Sequence, residues 1–225
     1  MNDFFERLLA ETEVERNELL SIPFILHGWR GELSLESYRA FLVQAYHHVK
    51  HTTPLLMACG SRVPHQKEWL RTAMAEYVKE EVGHQEWILN DIKACGGDPE
   101  KIRRETPGMA AEIMVAYAYH TVDRGNPAGF LGMVLVLEGT SVELASEAAV
   151  KLQHNLALPN AAFSYLTSHG SLDVSHMDFY KNLVNRLREV ADQERVIHCT
   201  RRFYRLYGDV FRALPLTLNA AAVAA

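Results

Sequence analysis

Apolar residues recur at helical spacing along almost the whole chain. Asp3 caps a first stripe of Phe4, Leu8, Leu9, Val14, Leu19 and Leu20, which stops before Pro23. Ser34 opens a second segment carrying Tyr38, Phe41, Leu42, Ala45 and Val49, and Pro54 is expected to kink or end it. After Pro64 a third runs through Trp69, Leu70, Met74, Tyr77, Val78, Val82, Trp87, Ile88 and Ile92, until Gly96-Gly97 and Pro99 stop it. Pro107-Gly108 begins a fourth that reaches Arg124. Gly125-Asn126-Pro127 turns the chain and sets proline at the head of a fifth helix, which extends to His154. Pro159 starts a short sixth segment, and a seventh spans Ser168 to Tyr207. No β-branched run alternates with polar residues, and no Asn-Gly or Asp-Gly turn occurs. The pattern predicts an all-α, single-domain bundle of seven helices over residues 1–212, followed by an Ala-rich C-terminal tail over 213–225.

Composition narrows the partners. The 225 residues include 48% hydrophobic ones, enough to bury a core without disulfide or metal staples. Lys and Arg number 23 against 28 Asp and Glu, a net charge of −5, and no basic stripe exists to neutralise phosphates, so nucleic acid is not an expected partner. The most apolar run, Phe130 to Leu137, is too short for a bilayer, which needs ~20 residues, so no membrane is expected either. The N-terminus has no basic region ahead of an apolar stretch and so does not read as a signal peptide. Cys59, Cys95 and Cys199 are widely spaced, with no Cys-x-x-Cys, and read as free thiols in a reducing cytoplasm. The tail that begins near Leu214 is either a frayed end or a contact for a homodimer.

Three histidine–carboxylate clusters carry candidate chemistry. In Glu80-Glu81-Val82-Gly83-His84, Glu81 and His84 are three apart and would share one helical face. Glu-x-x-His is a ligand pair of four-helix di-iron proteins, although this pair alone, with Lys79, Glu80 and Glu86 nearby, reads rather as a solvated charged face. Glu138 sits among Val134, Leu135 and Val142, so it is expected to be buried, bound to metal or held as a salt bridge or a protonated acid. His169, Asp173 and His176 fall at i, i+4 and i+7, one stripe of a helix that core packing explains poorly. Three carboxylates and three imidazoles suit iron or manganese better than zinc, because no cysteine accompanies them, and six ligands exceed what one facial site needs.

The segments Glu-Glu-Val-Gly-His84-Gln-Glu-Trp, Gly-Met-Val-Leu-Val-Leu-Glu138-Gly and His169-x3-Asp173-x2-His176 resemble the haem-oxygenase-like di-iron oxidases and oxygenases. These are iron-containing redox enzymes of the superfamily that also holds the thiaminase-II (TenA) proteins and the pyrroloquinoline-quinone synthase PqqC. The likeness runs from roughly Ser34 to Tyr204. It implies a seven-helix haem-oxygenase-like bundle, two ferrous ions, dioxygen as cosubstrate and a small organic substrate that is cleaved at C–C or C–N or oxygenated at nitrogen. By the same likeness Glu81, His84, Glu138 and His169 would serve one iron, and Asp173 and His176 the other, with Glu81 and Glu138 bridging. Glu80, four before His84, shares a face with it as well and stays open as the alternative to Glu81.

Gln44, His48 and His51 line up on a second histidine-rich face, expected to form a pocket wall or to hold ligands and substrate by hydrogen bonds, or else to be a solvated face ending at Pro54. Phe41, Ala45, Met114 and Phe130 are expected to line an apolar cavity. Competing readings are a TenA-like hydrolase, a metal-free PqqC-like oxidase, a haem protein using His27, and a non-catalytic helical module. The hydrolase needs a cysteine nucleophile in the helix that here reads Met133 to Gly139, which has none.

Overall fold

Prolines that end one helix begin the next, so the chain is cut into more helices than the seven expected. The computed structural model describes residues 3–223, the side chains of 169–175 and 222–223 excepted. In order the helices are α1 (Phe4–Glu11), α2 (Glu13–Leu20), α3 (Pro23–Arg30), α4 (Leu35–Val49), α5 (Thr52–Arg62), α6 (Glu68–Glu81), α7 (His84–Ala94), α8 (Pro99–Arg104), α9 (Met109–Arg124), α10 (Leu131–Leu156), α11 (Ser164–Val184), α12 (Val190–Arg212) and α13 (Ala220–Val223). Among the described residues the only β-type contact is an isolated bridge between Leu33 and Leu218.

The extra segments have local causes. The first stripe breaks at Thr12, whose hydroxyl donates to the Leu8 carbonyl at 2.7 Å. Pro23 and Pro99 each occupy the first turn of a helix, where a missing N–H costs nothing, and so open α3 and α8. Pro54 falls in the first turn of α5 for the same reason. The long third segment splits at Val82-Gly83 into α6 and α7, and the seventh splits at 185–189 into α11 and α12.

Helix α10 runs through the middle, packed against α11, α12 and α3. With its preceding turn it is long and apolar enough to cross a bilayer by length and composition, and in this fold it is a core helix, 61% buried over that window. Its approach to α12 depends on glycine. A Cβ at Gly132 would lie 2.6 Å from the Thr200 backbone nitrogen, and one at Gly129, in the turn before α10, 2.7 Å from Cys199 Sγ. Tyr180 of α11 donates its hydroxyl to the Leu131 carbonyl at 2.9 Å, which fixes the rotation of α11 about α10.

A second tie sets α7 against α11. Asp91 is fully buried and accepts from the backbone N–H groups of Ser164 (3.0 Å) and Tyr165 (2.9 Å) and from the Ser164 hydroxyl. A carboxylate from one helix thereby caps the start of another. Residues 215–219, at the head of the expected tail, lie along the entry to α4: Ser34 N–H donates to the Thr217 carbonyl (2.9 Å) and Asn219 N–H to the Glu32 carbonyl (2.8 Å).

Replacing Gly132 with alanine forces α10 from α12 and is expected to cost about 1–3 kcal/mol in chemical denaturation. Gly139→Ala on the same helix, where the nearest atom stands 3.8 Å away, is expected to be neutral or stabilising by up to ~1 kcal/mol. Equal behaviour of the two variants would show that helix propensity, not close packing, governs these glycines.

Candidate metal centre

The pair Glu81 and His84 does not sit on one continuous helix face. Helix α6 ends at Glu81, Val82 is extended, and Gly83 adopts φ +95° before α7 starts at His84. The break itself brings the two together. Glu81 is 7% and His84 3% exposed, and Glu81 Oε2 lies 3.1 Å from His84 Nδ1. Nothing stands within 4 Å of a Cβ built on Gly83, so glycine is required there for its left-handed backbone and not for space. The His84 ring stacks on Trp87, with centroids 4.0 Å apart.

Glu138 enters from the middle of α10 and His176 from α11, and both are buried. His176 Nδ1 is 3.7 Å from Glu138 Oε1, while its Nε2 is 2.8 Å from Glu80 Oε2. One donor atom each from Glu81, Glu138 and His176 lies within 4.8 Å of the other two. Three helices distant in sequence thus converge on one interior spot. Glu80 contributes from its rim, with a side chain 56% exposed against 7% for Glu81.

Two like charges within 4.8 Å of each other repel by about 3 kcal/mol or more at an effective dielectric constant of 20, on top of the cost of desolvating each. Among the described residues the ion-pair partner of Glu81 is the His84 ring, not a lysine or arginine. A divalent cation would relieve this repulsion. Two ligands about 2.1 Å from one ion stand ~3.0–3.5 Å apart, close to the distances seen here. Carboxylate and imidazole donors without thiolate fit iron or manganese. His169 and Asp173 belong to α11 with His176, and their side chains lie outside the described residues.

Sequence periodicity missed Tyr77, although its place four residues before Glu81 on α6 was a usable signal. It is 1% exposed, and its hydroxyl has no hydrogen-bond partner among the described residues. Its ring stands edge-on to His176, with centroids 6.2 Å apart. Burial first, then the carboxylates of Glu138, Glu81 and Glu80, push the phenol well above its ordinary pKa, so it remains a hydrogen-bond donor.

A cavity of about 150 Å³ opens beside the carboxylates and follows α10 from Phe130 to Leu152. Its walls are apolar and aromatic, including Phe24, Trp29, Phe41, Leu56, Tyr165 and Phe211; among the described residues its only carboxylates are Glu81 and Glu138, and no lysine or arginine lines it. Trp29, 37% exposed, stands at the outer side with Lys151 Nζ 4.3 Å from its ring centroid.

Of the second histidine-rich face, His48 alone reaches this cavity, set edge-on to Tyr207 at 5.8 Å. Gln44 does not: its Oε1 accepts from Gly108 N–H at 2.9 Å, at the start of α9. His51 does not either, and its Nδ1 pairs with the Tyr119 hydroxyl at 3.2 Å. The periodic count assumed one helix through both, whereas α4 ends at Val49 and His51 is the cap of α5. Phe41 and Phe130 line the cavity, while Ala45 and Met114 are buried elsewhere in the core.

Gly83→Ala is expected to cost about 1–2 kcal/mol in thermal or chemical denaturation, the penalty for a Cβ in the left-handed region. An unchanged stability would mean that the chain relaxes into a continuous α6–α7 helix.

Residues 39–208 match a family of proteins described as iron-containing redox enzymes. The 4-aminobenzoate synthase of Chlamydia trachomatis is 24% identical over 215 residues, covering 92% of each chain. A domain of unknown function with a haem-oxygenase-like fold from Shewanella denitrificans superposes with a TM-score of 0.84 at 20% identity, over 92% of this chain and 90% of that one. A TenA homologue from Pseudomonas syringae gives 0.77 at 11% identity, over 93% and 91%. The architecture is therefore the all-helical haem-oxygenase-like fold in a single domain. Since the family match spans most of the chain and takes in every residue of the three histidine–carboxylate clusters, this chain belongs to the iron-containing redox enzyme family.

Proposed function

We propose that the protein is a non-haem di-iron oxidoreductase that uses dioxygen on a small organic substrate. The observation that carries the proposal is the burial of Glu81, Glu138 and His176 from three helices around one spot. In this reading Glu81, His84, Glu138, His169, Asp173 and His176 would hold two ferrous ions. Iron bound there would supply the electrons that dioxygen needs to react with an organic molecule.

The protein's own groups set the conditions. Glu81 and Glu138 neutralise cation charge in a place where water is scarce, and the apolar slot along α10 excludes solvent and seats the substrate body. Tyr77 offers a protonated hydroxyl next to the carboxylates, placed to donate to whatever binds in the slot. Because Glu81 and Glu138 are the only carboxylates among the described residues that line the cavity, and no lysine or arginine is among them, an anionic substrate would find no side-chain counter-ion on these walls. The Chlamydia relatives are named 4-aminobenzoate synthases, so formation of an aryl amine is the first activity to assay.

Two competing readings find less support. The hydrolase needs a reactive thiol, yet no cysteine lines the cavity, and burial pushes Cys59 up to about 12 and Cys95 up to about 11. For the haem reading, His27 Nδ1 is 2.6 Å from Glu32 Oε2, and His27 does not line the cavity.

Anaerobic titration with ferrous iron is expected to load about two ions per chain, and Glu138→Ala or His176→Ala to lose one or both. Oxygen uptake by the reduced variants, followed with an electrode, should fall about 100-fold or more. Full iron loading of a His169→Ala/Asp173→Ala variant would overturn the ligand set. Tyr77→Phe is expected to load iron normally and to gain about 1 kcal/mol in thermal denaturation, since it removes a buried hydroxyl that has no partner among the described residues. The same variant should react more slowly with oxygen or substrate. Unaltered rates would confine the phenol to a packing role.

A further inference from the structure

We infer that Glu80 is a positioning residue for His176, holding the ring so that Nδ1 faces the metal. This rests on the iron reading above. Glu80 and Glu81 are consecutive at the end of α6, and one helical step of ~100° prevents both from facing inward. Glu81 takes the interior, while the Glu80 side chain is 56% exposed and its Oε2 lies 2.8 Å from His176 Nε2. The other ring nitrogen, Nδ1, points inward, 3.7 Å from Glu138 Oε1. The ring therefore spans the wall of the site, with one nitrogen on a rim carboxylate and the other among the buried donors.

That arrangement decides the tautomer. A neutral imidazole carries one proton, and a carboxylate acceptor at Nε2 draws it there, leaving the Nδ1 lone pair for the cation. Metal-bound histidines are commonly held in this way, by a carboxylate on the nitrogen that does not bind. With the Glu80 carboxylate 56% exposed, its pairing with the buried His176 ring would contribute little to stability. Its consequence lies in ring orientation and ligand basicity. Of the two adjacent carboxylates, then, Glu81 belongs among the donors and Glu80 acts through His176.

The test uses the full chain. In the metal-free protein at pH 8, long-range 1H–15N NMR should show His176 as the Nε2–H tautomer, and Glu80→Ala should shift or mix it. Chelator competition should show ferrous affinity falling about 10–100-fold in Glu80→Ala. Glu80→Gln keeps an acceptor oxygen and should stay within about 5-fold of wild type, while Glu76→Ala, on the exposed side of the same helix, should match it. Thermal stability of Glu80→Ala should be near wild type, which separates positioning from a general loss of fold. An Nδ1–H tautomer in the wild type, or undiminished iron affinity in Glu80→Ala, overturns the inference. So does a Glu80→Gln affinity as low as that of Glu80→Ala, since Glu80 would then be a ligand itself. A wild type that takes up no iron strikes the iron reading instead, and the tautomer in the metal-free chain still decides the role of Glu80.

Discussion

Two carboxylates buried side by side is the arrangement on which the rest of this molecule depends. Glu81 and Glu138 bring donor oxygens within 4.8 Å of each other and of the His176 ring, in a wall that is otherwise apolar. Water would stabilise each charge better than the interior does, so the fold has to hold them there against repulsion and desolvation. It does so through packing that leaves α10 no freedom to rotate. Gly129 and Gly132 let the start of α10 lie directly on α12, and the Tyr180 hydroxyl on the Leu131 carbonyl locks α11 to it. Glu138 is about two turns beyond those contacts, so its direction is inherited from them.

The other two sides of the site are set by interruptions in helices. Gly83 ends the α6 register and lets His84 turn back on Glu81, an approach that depends on the left-handed link between α6 and α7. Asp91 then ties α7 to the start of α11 by capping it, so the helix that presents His84 and the helix that presents His176 move as one unit. Burial pushes the Asp91 carboxyl up while the Ser164 and Tyr165 donors pull it down, and the net shift is upward. A polar group is kept in the core here because it joins two helices that carry the site.

The helical class was legible from periodicity alone, and the three histidine–carboxylate clusters stood out because core packing does not ask for imidazole and carboxylate on one stripe. What periodicity could not show was where helices stop. The third stripe continues through Val82, which satisfies the count yet is 62% exposed because it belongs to the link between α6 and α7. Pro23 and Pro99 were read as terminators, although proline in a first turn starts a helix as readily as it follows one. The same blindness put Gln44 and His51 beside His48: α4 ends at Val49, so His51 caps the next helix, and Gln44 is drawn to the Gly108 amide by a loop no spacing rule can locate. By spacing Tyr77 reads as a core aromatic, and what sets it apart is a hydroxyl with no hydrogen-bond partner among the described residues.

The cavity relates the carboxylate pair to the class of reaction. An active site that binds its substrate through charge needs opposite charge on its walls, and among the described residues this slot has no lysine or arginine. On the proposed reading, recognition would rest on shape and on aromatic contact along α10, with direction supplied at one end by the donors and the Tyr77 phenol. A nucleophilic mechanism finds no poised thiol, because all three cysteines are buried, burial raises the pKa values of Cys59 and Cys95, and none of the three borders the slot. A cation held by Glu81 and Glu138 would make up for the charge that the walls lack. Two anionic side chains forced together at one end of an apolar slot, with no lysine or arginine among its described lining residues, are the feature that the proposed cation would answer.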